Sequence, residues 1–247
     1  MNHYKIIIPF YNVDKWIKTT INSVKNQTYD NFECILINDM STDQTEEIAL
    51  RYINKDNRFK IINNLEKKYA LQNYCLGIEA SNPKQENIII NIDGDDWLHN
   101  NKVLEILNNY YEKNDCLMTY GSYNEFPNNN VGKYSKQIPN YIINNNLYRN
   151  YEWSSSHLRT YKYCLWDKID KKDFLDSSGQ FYKITCDLAI MFPMLEMAGH
   201  KAKYIKEILY TYNIINPLND HKLNDLLQIQ IEKEIRRKPK YEELNDI

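Results

Sequence analysis

Glycine is scarce in this chain of 247 residues, which contains six glycines dispersed along its length. Neither a G-x-G-x-x-G fingerprint nor a G-x-x-x-x-G-K-[ST] loop can be written anywhere in it. The dinucleotide-binding and P-loop classes are therefore excluded, because their phosphate sites need clustered glycines. An EF-hand is excluded as well, since the acidic stretch that begins at Asp93 lacks the glycine and the final glutamate of that calcium loop.

Paired cysteines, excess basic charge and long apolar runs are also missing. The five cysteines are scattered without any C-x-x-C spacing, the formal net charge is −2, and the sequence pI is near 6.2. These features predict no zinc or redox motif and no nucleic-acid partner. No stretch approaches the roughly 18 apolar residues of a membrane span, and no signal peptide is visible. We expect no transmembrane segment and a cytoplasmic location, which means the host cytoplasm if the source is viral.

Short apolar runs alternate with longer segments of helical period in the first half of the chain. The runs predict buried strands at residues 4–9, 32–38, 59–62 and 87–93. Apolar stripes between them predict helices, the third over about residues 69–80. This order of elements predicts a parallel sheet with right-handed crossovers and helices on both faces.

The second half has weaker patterns. Residues 124–150 are rich in Asn and Tyr, which leaves open an ordered loop or a mobile lid. Helical patterns are predicted over residues 153–169 and 185–199, the latter with one apolar stripe that includes Leu188 and Leu195. A strand over residues 207–213 and a charged amphipathic helix over about residues 220–237 follow.

Polar clusters follow three of the predicted strands, at the edge where parallel sheets bind ligands. Asp93, Gly94 and Asp95 form a D-x-D sequence that can turn two carboxylates towards one Mn²⁺ or Mg²⁺ ion. Tyr11 offers an aromatic surface for a base, and Asp39 offers an acceptor for a ring N–H such as that of uracil. Taken singly, each has an ordinary explanation: an acidic turn, a packed aromatic ring, and a cap for the next helix.

Taken together and in order, the segments "IIIPFYN", "ILINDMSTDQT" and "IINIDGDDWL" resemble the family 2 glycosyltransferases of the GT-A fold. The resemblance covers about the first half of the chain. It implies an α/β, Rossmann-like and mostly parallel sheet with helices on both faces and a C-terminal helical appendage. We expect a catalytic domain over 1–215, with a nucleotide-binding half (1–120) and an acceptor half (121–215), and a C-terminal segment and helix over 216–247.

The resemblance also implies an activity: inverting transfer from a nucleotide-sugar donor, usually a UDP-sugar, to a hydroxyl acceptor such as a glycan, with Mn²⁺ or Mg²⁺. Asp95 would be the main metal ligand, assisted by Asp93. The nucleotide-binding residues would be Pro9, Tyr11, Asp39, Gln72, Asp93 and Gly94. Two positions depart from the family pattern: Met40 stands where glycine is usual in the turn, and Gln72 where arginine or lysine is common.

In the second half of the chain the resemblance implies fewer residue roles, because the family is less uniform there. Asp187 stands where family members place a catalytic carboxylate and would act as the general base, its alternative being a charge that complements the helix dipole. Trp153, His157 and Arg159 would face the acceptor or the leaving phosphate, unless they belong to a solvated helix start. His221 would complete the metal site from a returning C-terminal segment, unless it merely points into water.

Two other functions remain open. A sugar-nucleotide pyrophosphorylase would need a glycine-rich and basic loop after the first strand, and "PFYNVDKW" has neither. A catalytically inactive module that binds nucleotide sugars or glycans would share the same fold. Asp95 and Asp187 argue against such a module, and only turnover distinguishes it from an enzyme.

Overall fold

The computed structural model describes residues 1–219 and 225–244. The isoleucine-rich runs of the first half form strands β1 (Tyr4–Phe10), β2 (Phe32–Asn38), β3 (Phe59–Asn63) and β4 (Ile88–Asn91). These strands are parallel and pair in the order β3-β2-β1-β4. Every residue of β1 is buried, as expected for a strand covered by helices on both faces.

Four helices cover the two faces of this part of the sheet. They are α1 (Ile17–Lys25), α2 (Thr45–Ile53), α3 (Tyr69–Ala80) and α4 (Val103–Lys113). Helices α1, α2 and α4 pack with Ile6 and Ile8 on one face, whereas α3 packs with Ile7 on the other. Successive side chains of a strand point to opposite faces, so a single apolar run supplies both cores. The predicted mostly parallel sheet with helices on both faces is confirmed.

The sheet continues through the second half of the chain. Its further strands are β5 (Trp97–Leu98), β6 (Met118–Phe126), β7 (Asn130–Val131), β8 (Thr160–Lys162) and β9 (Ala202–Asn213). Over the described residues the strand order is β3-β2-β1-β4-β8-β6-β9-β5, with β7 paired to β6. Strand β8 is antiparallel to both β4 and β6, and β9 is parallel to β6. The end of β9 therefore points to the same edge of the sheet as the end of β4.

The helical pattern predicted over residues 153–169 is wrong in its first part. The structure has β8 there, followed by the short helix α6 (Tyr163–Asp167), because pairing with β4 overrides the local pattern. Residues 124–150 contain the end of β6, β7 and the helix α5 (Asn140–Asn144). Ile138, Ile142 and Tyr148 of this segment are buried in the core, which favours the ordered alternative.

Helix α7 (Cys186–Ala198) is buried all round from Leu188 onwards rather than along one stripe, as in helices that cross a core. The last helix, α8 (Asp225–Arg237), adds Ile231 and Ile235 to that core. A buried ion pair joins the two regions: Arg149 Nε donates to Glu196 at 2.6 Å, and Arg149 also donates to the Ile235 carbonyl at 2.7 Å. In the described ranges, no helix is both long and apolar enough to span a membrane.

Candidate active site

The turn after β4, residues 93–96, is called the acidic turn below. A Cβ atom on Gly94 would lie 2.9 Å from the Pro9 carbonyl oxygen, so this close approach to β1 requires glycine. The Thr20 hydroxyl donates to the Gly94 carbonyl at 3.0 Å, and the Tyr74 hydroxyl donates to the Asp93 carboxylate at 2.6 Å. The turn is thus held by α1, α3 and the end of β1, where Pro9 lies.

Asp96, which the sequence analysis did not single out, fastens the acidic turn to β9. Its side chain is fully buried and accepts hydrogen bonds from the Asn213 backbone N–H and the Tyr210 hydroxyl, both at 2.8 Å. Burial, together with the nearby Asp95 and Asp93, raises its pKa well above the ordinary value. The adjacent pair Asp95–Asp96 was the sequence signal for this role. A further aspartate directly after the D-x-D sequence needs hydrogen-bond donors from elsewhere in the fold.

Asp95 points towards the segment that follows β9. The Asn216 amide donates to its carboxylate at 2.6 Å. The chain that follows the last strand therefore contacts the acidic turn already at Asn216, and a return through the turn residues around Pro217 stays a prediction. His221, the predicted ligand in that returning segment, lies outside the described residues.

Arg159 is the cation at the centre of the site. Its side chain is 7% exposed, and its guanidinium lies 3.9 Å from Asp93 and 3.8 Å from Asp187. Burial alone would lower the pKa of Arg159, but these two carboxylates raise it, so the group stays charged. The stretch before β8 is accordingly buried from Ser154 to Thr160, and the alternative of a solvated helix start is wrong for this stretch.

His157 is buried between aromatic rings. Its ring is stacked on Tyr210, with centroids 4.4 Å apart, and on Tyr212, while its Nδ1 lies 3.2 Å from the Arg159 guanidinium. Burial, and then the charge of Arg159, lower the pKa of His157 well below its ordinary value. A neutral imidazole of this kind can act as a metal ligand.

Asp187 lies in the first turn of α7 and is 28% exposed. Burial raises its pKa, and the attraction of Arg159 opposes that rise. A carboxylate with a raised pKa at the edge of a ligand site is better matched to proton transfer near neutral pH than an ordinary aspartate. The structure thus brings together Asp93, His157, Arg159 and Asp187, which are far apart in the sequence.

One group of three acidic or histidine side chains within the described ranges could hold a metal ion. The ligand atoms of Asp93, Asp96 and His157 all lie within 4.8 Å of one another. Carboxylate oxygens with one imidazole suit Mn²⁺ and related ions. The acidic turn supports the fit, because Asp93, Asp95 and Asp96 place three carboxyl groups within four residues. Both oxygens of Asp96 already accept hydrogen bonds, so a bound ion would compete with Tyr210 and Asn213 for this side chain.

Asp39 lies on the other side of the site, after β2, and its carboxylate is buried. It accepts hydrogen bonds from the Lys68 backbone N–H at 2.8 Å, the Tyr69 backbone N–H at 2.9 Å and the Asn64 amide at 2.9 Å. Burial would raise its pKa, but these hydrogen bonds and the charge of Lys67 lower it. The hydrogen bonds of Asp39 therefore stabilise the start of α3. They do not cap α2, the next helix along the chain, as its alternative role would require.

Lys67 is a second residue that the sequence analysis missed. Its ammonium lies 3.5 Å from the Asp39 carboxylate and directly over the ring of Tyr11. Tyr11 is 36% exposed, so its ring borders the solvent as a base platform would. Gln72 lies half-buried on α3.

Met40, the other departure from the family pattern, keeps the turn that glycine would make. Its φ angle is +64°, in the left-handed region where a side chain costs energy. The Asn38 side chain accepts a hydrogen bond from the Ser41 backbone N–H at 2.8 Å and stabilises the turn. The geometry of the turn is thus preserved despite the substitution.

Trp153 is not joined to these groups by a hydrogen bond or ring contact among the described residues, and neither is Gln72. The Trp153 ring packs edge to face on Phe192 of α7, with centroids 5.8 Å apart. Part of its surface therefore belongs to the core. A role for Trp153 at the acceptor stays a prediction.

An acidic turn at the carboxyl ends of parallel strands, faced by a carboxylate at a helix start, is the arrangement of a ligand-binding and catalytic edge in α/β enzymes. Comparison with known proteins gives the family. The model of glycosyl transferase family 2 matches residues 5–172, and the chain belongs to that family. The resemblance drawn from the three ordered segments is confirmed.

Relatives agree with this assignment, and solved structures share the fold. Glycosyltransferase GlyA of Streptococcus pneumoniae is 26% identical over 222 residues, which cover 85% of this chain and 30% of GlyA. The S. aureus TarS 1–349 structure in complex with UDP-GlcNAc has a TM-score of 0.67 at 16% identity, covering 94% of this chain and 64% of that one. The mannosyltransferase PcManGT of Pyrobaculum calidifontis, in complex with GDP-Man and Mn²⁺, has a TM-score of 0.54 at 13% identity, covering 85% and 56%. The chain spans only 20% to 46% of the length of the curated relatives it matches first.

Proposed function

We propose that this chain is an inverting, metal-dependent glycosyltransferase that moves a sugar from a UDP-sugar to a hydroxyl group of an acceptor such as a glycan. The observation that carries the proposal is the pairing of Arg159 with both Asp93 and Asp187. It joins the acidic turn to the predicted base in one site. Membership of family 2 supports sugar transfer, and the fold shared with a UDP-GlcNAc complex supports a UDP-sugar donor.

The uracil base would stack on Tyr11 and donate its ring N–H to Asp39. A carboxylate has about four lone-pair sites, and three N–H donors and the Lys67 ammonium already occupy the surroundings of Asp39. Lys67 would therefore leave the Tyr11 ring as the base binds. Pro9, Gly94 and Gln72 stay predicted nucleotide contacts.

The metal would be held by Asp95 and Asp93, with an imidazole from His221 or His157. When bound, a divalent ion neutralises the charge that develops on the departing diphosphate. The chain's own contribution is to fix the carboxylates before binding, through Tyr74 on Asp93 and Asn216 on Asp95. The fold shared with a Mn²⁺-bound mannosyltransferase supports this assignment.

The transfer step would be a single displacement. The acceptor oxygen forms a bond to the sugar C1 as the bond from C1 to the phosphate oxygen breaks, and the electron pair leaves with the nucleoside diphosphate. Asp187 takes the proton of the acceptor hydroxyl. Its raised pKa favours this role, and Arg159 keeps its carboxylate turned towards the acidic turn.

Donor and metal binding can be tested by thermal shift. UDP should raise the melting temperature in Mn²⁺ and much less in chelator, because bound ligand stabilises the folded state. Asp95→Ala should abolish the metal-dependent part. Asp115→Ala, a surface carboxylate 75% exposed, is the matched control and should behave as wild type. A UDP shift that is equal with and without metal would show that the acidic turn does not bind a metal for the donor.

Turnover separates an enzyme from an inactive binding module. Wild-type protein with UDP-sugars and Mn²⁺ should release UDP, slowly to water and faster when an acceptor is present. Binding of the donor without any release would leave the binding module as the function.

The five cysteines are all free in the structure, which supports the predicted cytoplasmic location, since free thiols are typical of reducing compartments.

A further inference from the structure

A cavity of about 350 Å³ lies at the start of β9, and Tyr204 forms part of its lining. Tyr210, whose hydroxyl binds Asp96, is six residues further along the same strand. At about 3.3 Å per residue, the two places are roughly 20 Å apart. The cavity is therefore separate from the acidic turn.

Three tyrosines shape the cavity. Tyr120 and Tyr204 are neighbours on β6 and β9 with ring centroids 5.6 Å apart, and Tyr110 approaches from α4. The Tyr120 hydroxyl accepts a hydrogen bond from the Ile138 backbone, and the Tyr204 hydroxyl pairs with Ser122. The rings are thus fixed in place before any ligand arrives. Rigid tyrosines offer an apolar face with a polar edge, which suits the C–H face of a sugar ring.

The polar lining matches hydroxyl groups and a negative charge. Gln137 is exposed on the loop before α5, and Asn140 is exposed at the first residue of α5. An amide both donates and accepts, as sugar hydroxyls do. Lys203 adds a positive charge and donates to the His200 carbonyl at 2.8 Å. None of the residues that line the cavity is acidic. The Glu207 carboxylate lies outside the lining and accepts a hydrogen bond from the Tyr110 hydroxyl at 3.2 Å. The positive charge within the lining is that of Lys203, and it favours an anion beside it.

We propose that this cavity binds a saccharide that carries a negatively charged group. Its volume is at the lower end of the roughly 300–1,000 Å³ typical of small-molecule sites, which gives room for one or two sugar rings. In an enzyme that transfers sugars, such a site would hold a part of the acceptor far from its reacting end. That use rests on the proposed function, whereas the binding itself does not.

Calorimetric titration with three probes tests the proposal. Trigalacturonate carries carboxylates, glucose 6-phosphate carries a phosphate, and maltotriose is neutral. All titrations are made in chelator, where the acidic turn repels anions. At least one of the two anionic probes should bind roughly tenfold more tightly than maltotriose, because one charged hydrogen bond is added, and the better of the two identifies the anionic group.

Paired variants assign the site. Lys203→Gln should weaken the anionic probe roughly tenfold and leave maltotriose unchanged, whereas Lys206→Gln, an exposed lysine of the same strand, should have no effect. Asn140→Ala should weaken every probe that binds, and Asn145→Ala, directly after the same helix, should not. Melting temperatures of the variants check their folding.

Two results would overturn the proposal: no binding of any probe at millimolar concentration, or affinities that Lys203→Gln and Asn140→Ala leave unchanged. Tight binding of maltotriose equal to that of both anionic probes would overturn the charge preference. The same variants should keep the UDP shift in Mn²⁺. If the wild-type protein shows no UDP shift in Mn²⁺, that result counts against the proposed transferase activity and not against this cavity.

Discussion

The two sides of the candidate site hold their charges in different ways. On one side, the buried Arg159 is paired with Asp93 and Asp187, with 7% of its side chain exposed. On the other, Lys67 is 30% exposed and covers Tyr11, while Asp39 is satisfied mainly by backbone N–H groups. Charges interact more strongly where water is excluded. Removing the guanidinium of the first side should therefore cost more than removing the ammonium of the second.

The largest expected effect is on turnover at Asp187. Asp187→Asn keeps the shape of the side chain but cannot take a proton, so kcat should fall by about 10²–10⁴. UDP affinity in Mn²⁺ should stay close to wild type, as calorimetry can measure. An Asp187→Asn protein with wild-type kcat would remove Asp187 from the chemistry.

The pH dependence of kcat gives the same assignment an independent check. The pKa of Asp187 is raised by burial, and the base must be deprotonated to act. Turnover should therefore fall as the pH is lowered through this raised pKa, at a higher pH than for an ordinary aspartate with a pKa of about 3.9. Arg159→Lys, which keeps the charge, should preserve the acid limb of the profile better than Arg159→Gln does.

Next in size is the stability effect at Arg159. Arg159→Met leaves Asp93 and Asp187 without their buried partner. Because both carboxylates are partly exposed, the loss in free energy of unfolding should be about 2–4 kcal/mol, at or below the range for fully buried pairs. Arg51→Met removes an exposed pair with Glu47 and should cost less than about 1 kcal/mol. Urea unfolding of both variants compares the interior with the surface. Equal losses would show that Arg159 is not a buried partner.

A smaller effect is expected at Asp39 and should depend on pH. Asp39→Asn loses acceptors for several N–H groups, so the free energy of unfolding should drop by about 1–3 kcal/mol at neutral pH. The folded-state pKa of Asp39 is lowered, which means that its contribution is present above the unfolded pKa of about 3.9 and is lost as the pH falls further. The two unfolding curves should converge at low pH. Asp115→Asn is the surface control.

The smallest effect is a gain at Met40. Glycine adopts φ of +64° without a Cβ clash, which relieves about 1–2 kcal/mol, but it costs about 0.5–1 kcal/mol of chain entropy. Met40→Gly should therefore stabilise the protein by about 0.5–1 kcal/mol in thermal or urea unfolding. Met40→Ala retains the Cβ and should gain nothing. A destabilised Met40→Gly protein would mean that the methionine side chain contributes packing that outweighs the strain.

The sequence predicted the first half of the fold well because its strands are apolar runs buried on both faces. Strand β8 was missed because it has only three residues and its pairing with β4 spans more than 60 residues of chain. That missed pairing is also what brings Arg159 to Asp93. The site residues of one motif were therefore predictable, whereas the contact between motifs was not.

The same reasoning explains the other missed residues. Asp96 and Asn216 act through β9 and the segment behind it, which no local pattern links to the acidic turn. Lys67 lies in a polar loop where lysine is unremarkable, and only the fold places it over Tyr11. The sequence identifies candidate side chains by their chemistry. Tertiary packing decides which of them come into contact.

The buried pair of Arg149 and Glu196 has a consequence for proteolysis. Glu196, on α7, also accepts a hydrogen bond from the Tyr241 backbone N–H at 3.0 Å. Its carboxylate therefore links α7 to the segment that follows α8. A protease cut between α8 and Tyr241 would remove that donor at the far end of the helix that carries Asp187. Amide hydrogen exchange in α7 should then accelerate from its C-terminal turns. The loss of stability would extend along the helix itself to Asp187, the proposed base, rather than through any contact with a ligand.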